Sequence, residues 1–546
     1  MLRRIAPAAV IVLFLLSGLG VYLYSRPEVA DLPDFDEPAT ACDVPLDLLE
    51  RVANGYYPGR SGDILLIEQP KVQPQGTRHS TPYPSTQDVP LVLYGPGFIR
   101  SGAAPDREAT VADLAPTFAE LLRFEGFPQR DGRVLSEALL PRTKRNGVPR
   151  LLMTIMWDGG GDNVLEKWSD QWPHLRRMMD EGANYPNATV GSAPSITPAV
   201  HATIGTGAFP SSHGLPDNFM RVGGRIIDPY EGHTPRYLKE QTLGDLWDVA
   251  NGNEPLLGML ARDAWHLGML GHGTNSPGGD ADIAVLDILG GTEFHTFEEF
   301  YELPEYVKGK EGLQEFADVV DARDGDTDGK WLGNVISAND QHVRYTPAWS
   351  MFQTAVMLRI LAEEGFGDDQ MPDLFYTNYK STDLAGHEWN MVEPEVRDDL
   401  EEQDRQLRVV RDALDRTIGP RNYVLAVTAD HGMMPPAATQ HNYEIDEHAI
   451  KRHIHEEFDL ENPDVDLVDA NRGYQLFLDP DELIANDVTI EDVVEFLRDY
   501  TIEDNATVPD AISAEIEPHA DEPMFYAVLT PKELREAVAC ARQKDG

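Results

Sequence analysis

The chain has 546 residues, of which 41% are hydrophobic, so it can form one large α/β domain with insertions or two to three domains. Its formal net charge of −48 is extreme for this length and argues against binding to nucleic-acid backbones or anionic lipid surfaces. An anionic substrate would need local positive charge in its site, and bound metal ions are one source of that charge.

The first predicted element is an uncharged apolar segment at residues 5–25, which has the length of a bilayer-spanning helix. Arg3 and Arg4 precede it and favour a cytoplasmic N-terminus. We interpret residues 1–26 as an uncleaved signal anchor, with the rest of the chain extracytoplasmic and attached to the membrane; a cleaved signal peptide is the alternative. Residues 27–60, which begin with a Pro- and acid-rich stretch, are predicted to be a linker.

Two apolar runs and a helical pattern come next. Residues 62–70 and 89–97 are predicted to be buried strands ended by turns, and residues 110–126 have helical periodicity. The loop between the two strands is rich in Gly, Pro, Ser and Thr and contains a single histidine, His79. The local sequence alone does not assign a function to this histidine.

Later in the chain, the apolar runs RLLMTIMW, PDLFYTNY and NYVLAVT each precede acidic or imidazole groups. These groups are Asp158, Asp383, His387, Asp430 and His431. The segments between the runs look helical, which predicts a three-layer α/β/α core with a mostly parallel central sheet. In such sheets ligands bind where strands end, so we expect these side chains to converge on one crevice. Carboxylates and imidazoles are ligands of Zn²⁺, although Mn²⁺ or Fe could substitute.

Residues 192–218 are rich in Ser, Thr, Gly and Pro, which suits a nucleophile at the start of a helix. Here the chain resembles the alkaline phosphatase superfamily, and most closely its type I phosphodiesterase/nucleotide pyrophosphatase branch. That branch has a nucleophilic Thr four residues before a His, then TG, HG and DN motifs. The matching positions are Thr197, His201, Thr206, Gly207, His213, Gly214, Asp217 and Asn218. The motifs WDGGG, DLAGH and TADHGM agree as well, and the resemblance covers about residues 60–440.

The resemblance implies two divalent metal ions, for which Zn²⁺ fits the donors. The implied ligands form two sets, which are Asp158, Thr197, Asp430 and His431 for one ion and His79, Asp383 and His387 for the other. Two such ions can clamp the attacking and leaving oxygens of a displacement at phosphorus.

The resemblance also makes Thr197 the nucleophile, which would form a phosphothreonine intermediate, and Asn218 a hydrogen-bond donor to a non-bridging oxygen. Ser195 is the alternative nucleophile, and His201 and His213 are interpreted as structural. Sulfate ester hydrolysis is disfavoured because neither cysteine lies in the C/S-x-P-x-R motif of the sulfatase branch.

The assignment of His79 rests on the order of the chain. His79 lies in a loop that resembles the last metal-binding loop of the family, and residues 62–140 match the family's C-terminal tail in order. We therefore infer a circular permutation, with residues 141–149 as the joining linker, which is permissible because domain termini are often close together. His519 is the alternative ligand.

The inferred permutation places the new termini near residues 43 and 546, close to each other in space. Cys42 and Cys540 flank that cut, and we hypothesise that they form a disulfide in an oxidising compartment.

The inferred domain organisation contains core segments, one insertion and one accessory segment. The ranges are 1–26 (anchor), 27–60 (linker), 61–140 (permuted core segment), 148–218 (core with nucleophile), 219–345 (cap), 346–440 (metal-binding half of the core) and 441–546 (accessory segment).

The function predicted from these features is an extracytoplasmic, metal-dependent phosphodiesterase or nucleotide pyrophosphatase acting on a small-molecule phosphoester. A phosphomonoesterase, a phosphoryl or head-group transferase and a non-catalytic surface binding module are the alternatives. Monoesterases of the superfamily add cationic groups near the substrate, and Lys380 is the candidate for such a group; a solvated lysine at a strand end is the alternative. The sequence does not indicate the oligomeric state.

Overall fold

The computed structural model describes residues 40–545, except residues 77, 289–290, 459–465, 472–473, 507–511 and 515. The predicted anchor at residues 5–25 lies outside these residues. Within the described part of the chain, no helix combines the length and the apolar character needed to cross a bilayer.

The strands are numbered in chain order. They are β1 (Ile64–Glu68), β2 (Val72–Pro74), β3 (Leu91–Tyr94), β4 (Ala109–Thr110), β5 (Leu151–Trp157), β6 (Ala183–Asn184), β7 (Ala188–Thr189), β8 (Met220–Val222), β9 (Arg225–Ile227), β10 (Leu257–Ala261), β11 (Asp282–Leu286), β12 (Tyr301–Glu302), β13 (Lys330–Trp331), β14 (Asn334–Val335), β15 (Asp373–Tyr379), β16 (Tyr423–Thr428), β17 (Tyr443–Ile445), β18 (Val468–Asn471), β19 (Gln475–Leu478) and β20 (Phe525–Leu529).

The α-helices are numbered in the same way. They are α1 (Leu46–Gly55), α2 (Pro84–Gln87), α3 (Leu114–Leu122), α4 (Asp162–Lys167), α5 (Pro173–Glu181), α6 (Thr197–Thr206), α7 (Pro210–His213), α8 (Leu243–Ala250), α9 (Leu267–Leu270), α10 (Leu313–Asp321), α11 (Pro347–Glu364), α12 (Ser381–Trp389), α13 (Pro394–Thr417), α14 (Ala437–Gln440), α15 (Glu447–Glu457), α16 (Pro480–Ala485), α17 (Ile490–Arg498), α18 (Ile502–Asn505) and α19 (Pro531–Asp545).

The central sheet has eight strands in the order β12-β11-β10-β15-β5-β16-β3-β6. The strands from β12 to β16 run parallel to their neighbours, whereas β3 is antiparallel to both β16 and β6. This arrangement confirms the predicted mixed α/β fold with a large, mostly parallel sheet.

Strand β5 shows how the sequence produces three layers. All seven of its residues are buried, and alternate side chains belong to different hydrophobic clusters. Met153 and Ile155 pack with helices α11 and α13, whereas Leu152 and Met156 pack with α3 and α6. A strand buried on both faces needs a continuous apolar sequence, as β5 has.

The N-terminal segment contributes to two sheets. Its strand β3 lies in the central sheet beside β16, as expected for a core segment. Its strand β1, however, lies in a second, antiparallel sheet with the order β18-β19-β1-β20. The range 61–140 is therefore shared between the core and the C-terminal region.

The ends of the described chain are joined. Helix α1 packs against α19 through buried side chains such as Leu48 and Leu534. Next to this contact the sulfurs of Cys42 and Cys540 form a disulfide, with Cα atoms 5.5 Å apart. The structure thus has the disulfide proposed from the sequence.

Residues 219–345, predicted to form a cap or insertion, also contribute strands to the central sheet. Strands β10, β11 and β12 come from this range, and they build one side of the central sheet. These strands are short and are separated by irregular segments, so the sequence pattern did not predict them. The remainder of the range includes the hairpins β8-β9 and β13-β14 outside the central sheet.

Candidate metal centre and active site

The candidate site lies where β5, β15 and β16 end. Asp158 directly follows β5, and Asp430 and His431 follow β16. Strand β15 leads into α12, which carries Asp383 and His387 one turn apart. Because the three strands are neighbours and parallel, their ends lie at one edge of the sheet, as expected from the sequence.

The first group of predicted ligands is assembled around Nε2 of His431. This nitrogen is 3.5 Å from Asp158 Oδ1 and 3.3 Å from Asp430 Oδ2. Thr197 Oγ lies 3.3 Å from the same oxygen of Asp430. The structure therefore brings together the four residues that the sequence assigned to the first ion.

The second group is assembled around Oδ1 of Asp383. This oxygen is 3.3 Å from His387 Nε2, 3.8 Å from His79 Nε2 and 3.8 Å from His431 Nε2. The rings of His79 and His431 are stacked, with centroids 3.4 Å apart. His79 thus reaches the site from the N-terminal loop, and His431 connects the two groups.

The orientation of His79 is determined by its backbone partner. Its Nδ1 lies 2.9 Å from the carbonyl oxygen of Ser195. A carbonyl can only accept, so Nδ1 carries the proton and Nε2 presents a lone pair to Asp383. Burial first, and then the neighbouring His431, lower the pKa of His79 well below its usual value, which favours the neutral imidazole that binds metals.

These groups fit divalent cations. His431 Nε2 and Asp383 Oδ1 are buried and, among the described residues, make no hydrogen bond of good geometry. Burial and the neighbouring Asp430 raise the pKa of Asp158 well above its usual value, because the carboxylates of Asp158, Asp383 and Asp430 are crowded. Buried lone-pair atoms without hydrogen-bond partners can bind a metal ion, and the charge of the ion would stabilise the crowded carboxylates.

Lys380 is the positive group inside this cluster. Its Nζ is 2.7 Å from Asp158 Oδ1, 2.9 Å from Asp383 Oδ2 and 2.9 Å from Thr197 Oγ. Its residue is only 7% exposed, so it is not the solvated lysine that the sequence left as an alternative. Although burial of Asp383 opposes ionisation, Lys380 and His387 outweigh this effect and hold the pKa of Asp383 well below its usual range.

Thr197 is the first residue of α6 and is 4% exposed. A nucleophile at this position faces the partial positive charge of the helix N-terminus, as predicted from the sequence. Ser195, the alternative, instead donates its hydroxyl proton to the carbonyl oxygen of His79. Ser195 therefore supports the His79 loop.

A cavity of about 310 Å³ opens onto these groups. Besides Thr197 and Lys380, its walls include Asn218, Arg262 and Trp265. Arg78 lines the cavity as well, so the cavity combines the predicted nucleophile, the predicted amide donor and three lysine or arginine side chains.

The position of Asn218 is fixed from the C-terminal sheet. The backbone N–H of Asn218 donates to Asp217 Oδ1 at 2.6 Å, and Asp217 Oδ2 accepts from Gln475 Nε2 at 3.1 Å. Gln475 belongs to β19, so a residue outside the predicted core supports the site. No local sequence signal marks this contact, because the two partners are 258 positions apart.

The remaining histidines of the motifs, His213 and His201, differ in their contacts. His213 Nε2 lies 3.1 Å from the carbonyl oxygen of Ala199, which agrees with its structural interpretation. His201 lies closer to the site, with Nε2 3.5 Å from Asp430 Oδ2 and Nδ1 2.8 Å from Nδ1 of His266. The alternative ligand His519 lies elsewhere, 3.6 Å from Glu522 in the C-terminal region.

Comparison with known proteins gives one family match. The family described as type I phosphodiesterase/nucleotide pyrophosphatase matches residues 152–538. The match begins within β5, so residues 61–140 and His79 lie outside it.

Individual relatives are distant. The chain is 22% identical over 406 residues to a calcium-transporting ATPase of Myroides odoratus, and this match covers 63% of the present chain and 72% of the ATPase. It is 20% identical over 423 residues to alkaline phosphatase PafA of Elizabethkingia meningoseptica, and this match covers 68% of the present chain and 76% of PafA. The crystal structure of wild-type alkaline phosphatase PafA matches with a TM-score of 0.55 and 18% identity, covering 72% of this chain and 85% of that one. This structural likeness supports the alkaline-phosphatase-like fold.

Proposed function

The chain belongs to the type I phosphodiesterase/nucleotide pyrophosphatase family of the alkaline phosphatase superfamily and is a phosphoester hydrolase, and from this premise we propose a metal-dependent reaction through a phosphothreonine at Thr197. The observation that carries the proposal is the position of Thr197 Oγ. It lies 3.3 Å from Asp430 and 2.9 Å from Lys380, at the wall of a cavity that is also lined by Asp383 and His387.

In the proposed reaction Thr197 gives its hydroxyl proton to its hydrogen-bond acceptor Asp430 Oδ2, and Thr197 Oγ attacks phosphorus. The bond from phosphorus to the leaving oxygen breaks, and the leaving group takes up a proton from water. Asn218 lines the same cavity and would donate its side-chain N–H to a non-bridging oxygen, where negative charge develops. Water then hydrolyses the phosphothreonine and regenerates the hydroxyl.

The two groups of ligands would hold two divalent ions, and Zn²⁺ suits their mixture of imidazole and carboxylate donors. Bound ions would supply positive charge that activates the attacking oxygen and stabilises the leaving oxygen. Asp158, Thr197, Asp430 and His431 would hold one ion, and His79, Asp383 and His387 the other.

The family favours a phosphodiester or a nucleotide pyrophosphate as the substrate. A specific observation favours phosphomonoesters as the second candidate, because Lys380 and Arg262 line the same cavity as Asn218. A monoester carries one more negative charge than a diester, and two nearby cations would offset it.

Hydrolysis of bis-p-nitrophenyl phosphate and p-nitrophenyl phosphate by the purified protein tests the proposal. We expect chelator-sensitive hydrolysis, with the ratio of kcat/KM for the two substrates deciding between diester and monoester. Trapping of radiolabelled phosphate on the wild-type protein, and not on Thr197→Ala, would support the intermediate. Full activity of Thr197→Ala would contradict it.

We also propose that the folded domain lies outside the cytoplasm and is anchored by residues 5–25. The disulfide supports this placement, because disulfides persist in oxidising compartments. Protease treatment of cells stripped of any cell wall and outer membrane is the test: degradation of the domain supports a location outside the cytoplasm, and complete protection contradicts it.

The circular permutation belongs to the same proposal. It is supported by the position of β3 and His79, which precede the family match and yet lie in the central sheet and at the candidate metal centre. The proximity of Cys42 and Cys540 supports it further, because a permuted chain joins former termini and opens new ones nearby.

A further inference from the structure

Lys380 occupies an unusual place for a lysine. It directly follows β15, a central strand of the main sheet, and precedes the first residue of α12. It is almost fully buried among acidic side chains, and it also contacts the proposed nucleophile Thr197. A buried ammonium is costly unless each of its protons finds an acceptor.

The three N–H groups of Lys380 have three acceptors at 2.7–2.9 Å, on Asp158, Asp383 and Thr197. Since an ammonium can only donate, Thr197 Oγ must accept from it. The hydroxyl proton of Thr197 is then directed to its other neighbour, Asp430 Oδ2. Lys380 therefore fixes which lone pair of Thr197 faces the cavity.

The same contacts place Lys380 in competition with metal ions. Asp158 belongs to one candidate ligand group and Asp383 to the other, and one carboxylate oxygen of each contacts the ammonium of Lys380. The second oxygen of Asp158 accepts from Asn378 Nδ2 at 2.7 Å, so both of its oxygens are already engaged. A divalent ion bound to Asp158 would lie beside the ammonium and be repelled by it.

We propose that Lys380 is a catalytic residue that orients Thr197 and shares Asp158 and Asp383 with the metal ions, so that it supports the reaction while weakening metal binding. This inference rests on the proposed function and adds a resident third cation to it. It also predicts that removal of the Lys380 charge tightens Zn²⁺ binding and at the same time lowers kcat. Loss of a purely structural lysine would not produce this combination.

The test is Zn²⁺ titration of metal-stripped wild-type protein and Lys380→Met, together with kcat at saturating Zn²⁺. We expect the Kd for Zn²⁺ to fall by at least about tenfold in Lys380→Met, because the competing charge is removed. We expect kcat to fall by at least about 100-fold, because Thr197 loses its orienting donor. An unchanged or weaker affinity for Zn²⁺ would overturn the proposal, and so would an unchanged kcat.

Lys310 offers a matched control. It is also 7% exposed and is paired with a buried carboxylate, Asp287, away from the candidate site. Lys310→Met should leave the Kd for Zn²⁺ within about threefold of the wild-type value. If it also tightened Zn²⁺ binding, the effect of Lys380→Met would reflect loss of any buried lysine, and the proposal would fail.

Lys380→Arg keeps the charge and serves if Lys380→Met does not fold. Its Kd for Zn²⁺ should stay within about threefold of the wild-type value, and a tenfold tighter Kd would contradict the competition. Failure of the proposed function can be distinguished from failure of this inference. Absence of phosphoester hydrolysis by the wild-type protein would contradict the proposed function. The Zn²⁺ affinities of the variants test the role of Lys380 independently of that activity.

Discussion

The replacement His79→Ala tests whether the N-terminal loop completes the metal centre. His79 Nε2 lies 3.8 Å from Asp383 Oδ1, and its ring stacks on His431 at 3.4 Å. Its Nδ1 is held by Ser195, so the free nitrogen is already aimed at Asp383. Loss of this donor removes one of three proposed ligands for the second ion and one ring from the stack.

We expect His79→Ala to weaken binding of the second Zn²⁺ by at least about 100-fold, because removing even a residue that only orients a ligand costs 10- to 100-fold. Metal content after dialysis should drop by one ion per chain, and kcat/KM for bis-p-nitrophenyl phosphate should fall by at least about 100-fold at limiting Zn²⁺. His387→Ala should show the same defects, because both imidazoles face the same oxygen of Asp383.

His519→Ala is the matched control, since His519 lies in the C-terminal region beside Glu522. It should retain the metal content and activity of the wild-type protein. The reasoning is refuted if His79→Ala behaves like His519→Ala, or if His387→Ala loses metal while His79→Ala keeps it.

Three further predictions concern the nucleophile, the disulfide and a buried carboxyl group. Thr197→Ala should lose at least about 10³-fold in kcat, whereas Thr197→Ser, which keeps the hydroxyl, should retain measurable turnover and a trapped phosphoenzyme. Cys42→Ser should lower the free energy of unfolding by up to about 6 kcal/mol, measured by urea denaturation of oxidised and reduced samples, because the bond closes a loop of 498 positions; equal stabilities would contradict this. Glu68 is fully buried, and burial raises its pKa from 4.5 to about 8. A raised folded-state pKa gives stability that is present below pH 4.5 and is lost as the pH rises through 8, so Glu68→Gln should gain up to about 1.4 kcal/mol per pH unit over the wild-type protein between pH 5 and 8. A difference that does not change with pH would contradict this.

Sequence patterns located the elements that are buried on both faces or that end in chemical groups. Strands β5, β15 and β16 are six or seven residues long and fully buried, and each leads into a predicted ligand. Periodicity and end signals are strongest for such elements. The start of α6 at Thr197 was equally visible, because the sequence there favours a helix N-terminus.

The sequence did not reveal contacts that depend on tertiary packing. Strand β1 reads as a buried strand, but its partners β19 and β20 lie more than 400 positions away, so its sheet could not be assigned. Lys380 could equally have pointed to solvent, because a strand end does not determine the direction of a side chain. Gln475 supports Asp217 from another sheet, and nothing near either residue indicates this contact.

The disulfide between Cys42 and Cys540 turns almost the whole described chain into a covalent ring. A single proteolytic cut inside a ring releases no fragment, so a nicked molecule would keep its apparent mass until it is reduced. A cut in the linker at 141–149 would have a second effect. It would leave residues 150–540 joined through sulfur to residues 42–140, which is the order of segments before the proposed permutation. Limited proteolysis followed by a metal-binding measurement could therefore show whether the site requires the present peptide connection or only the ring.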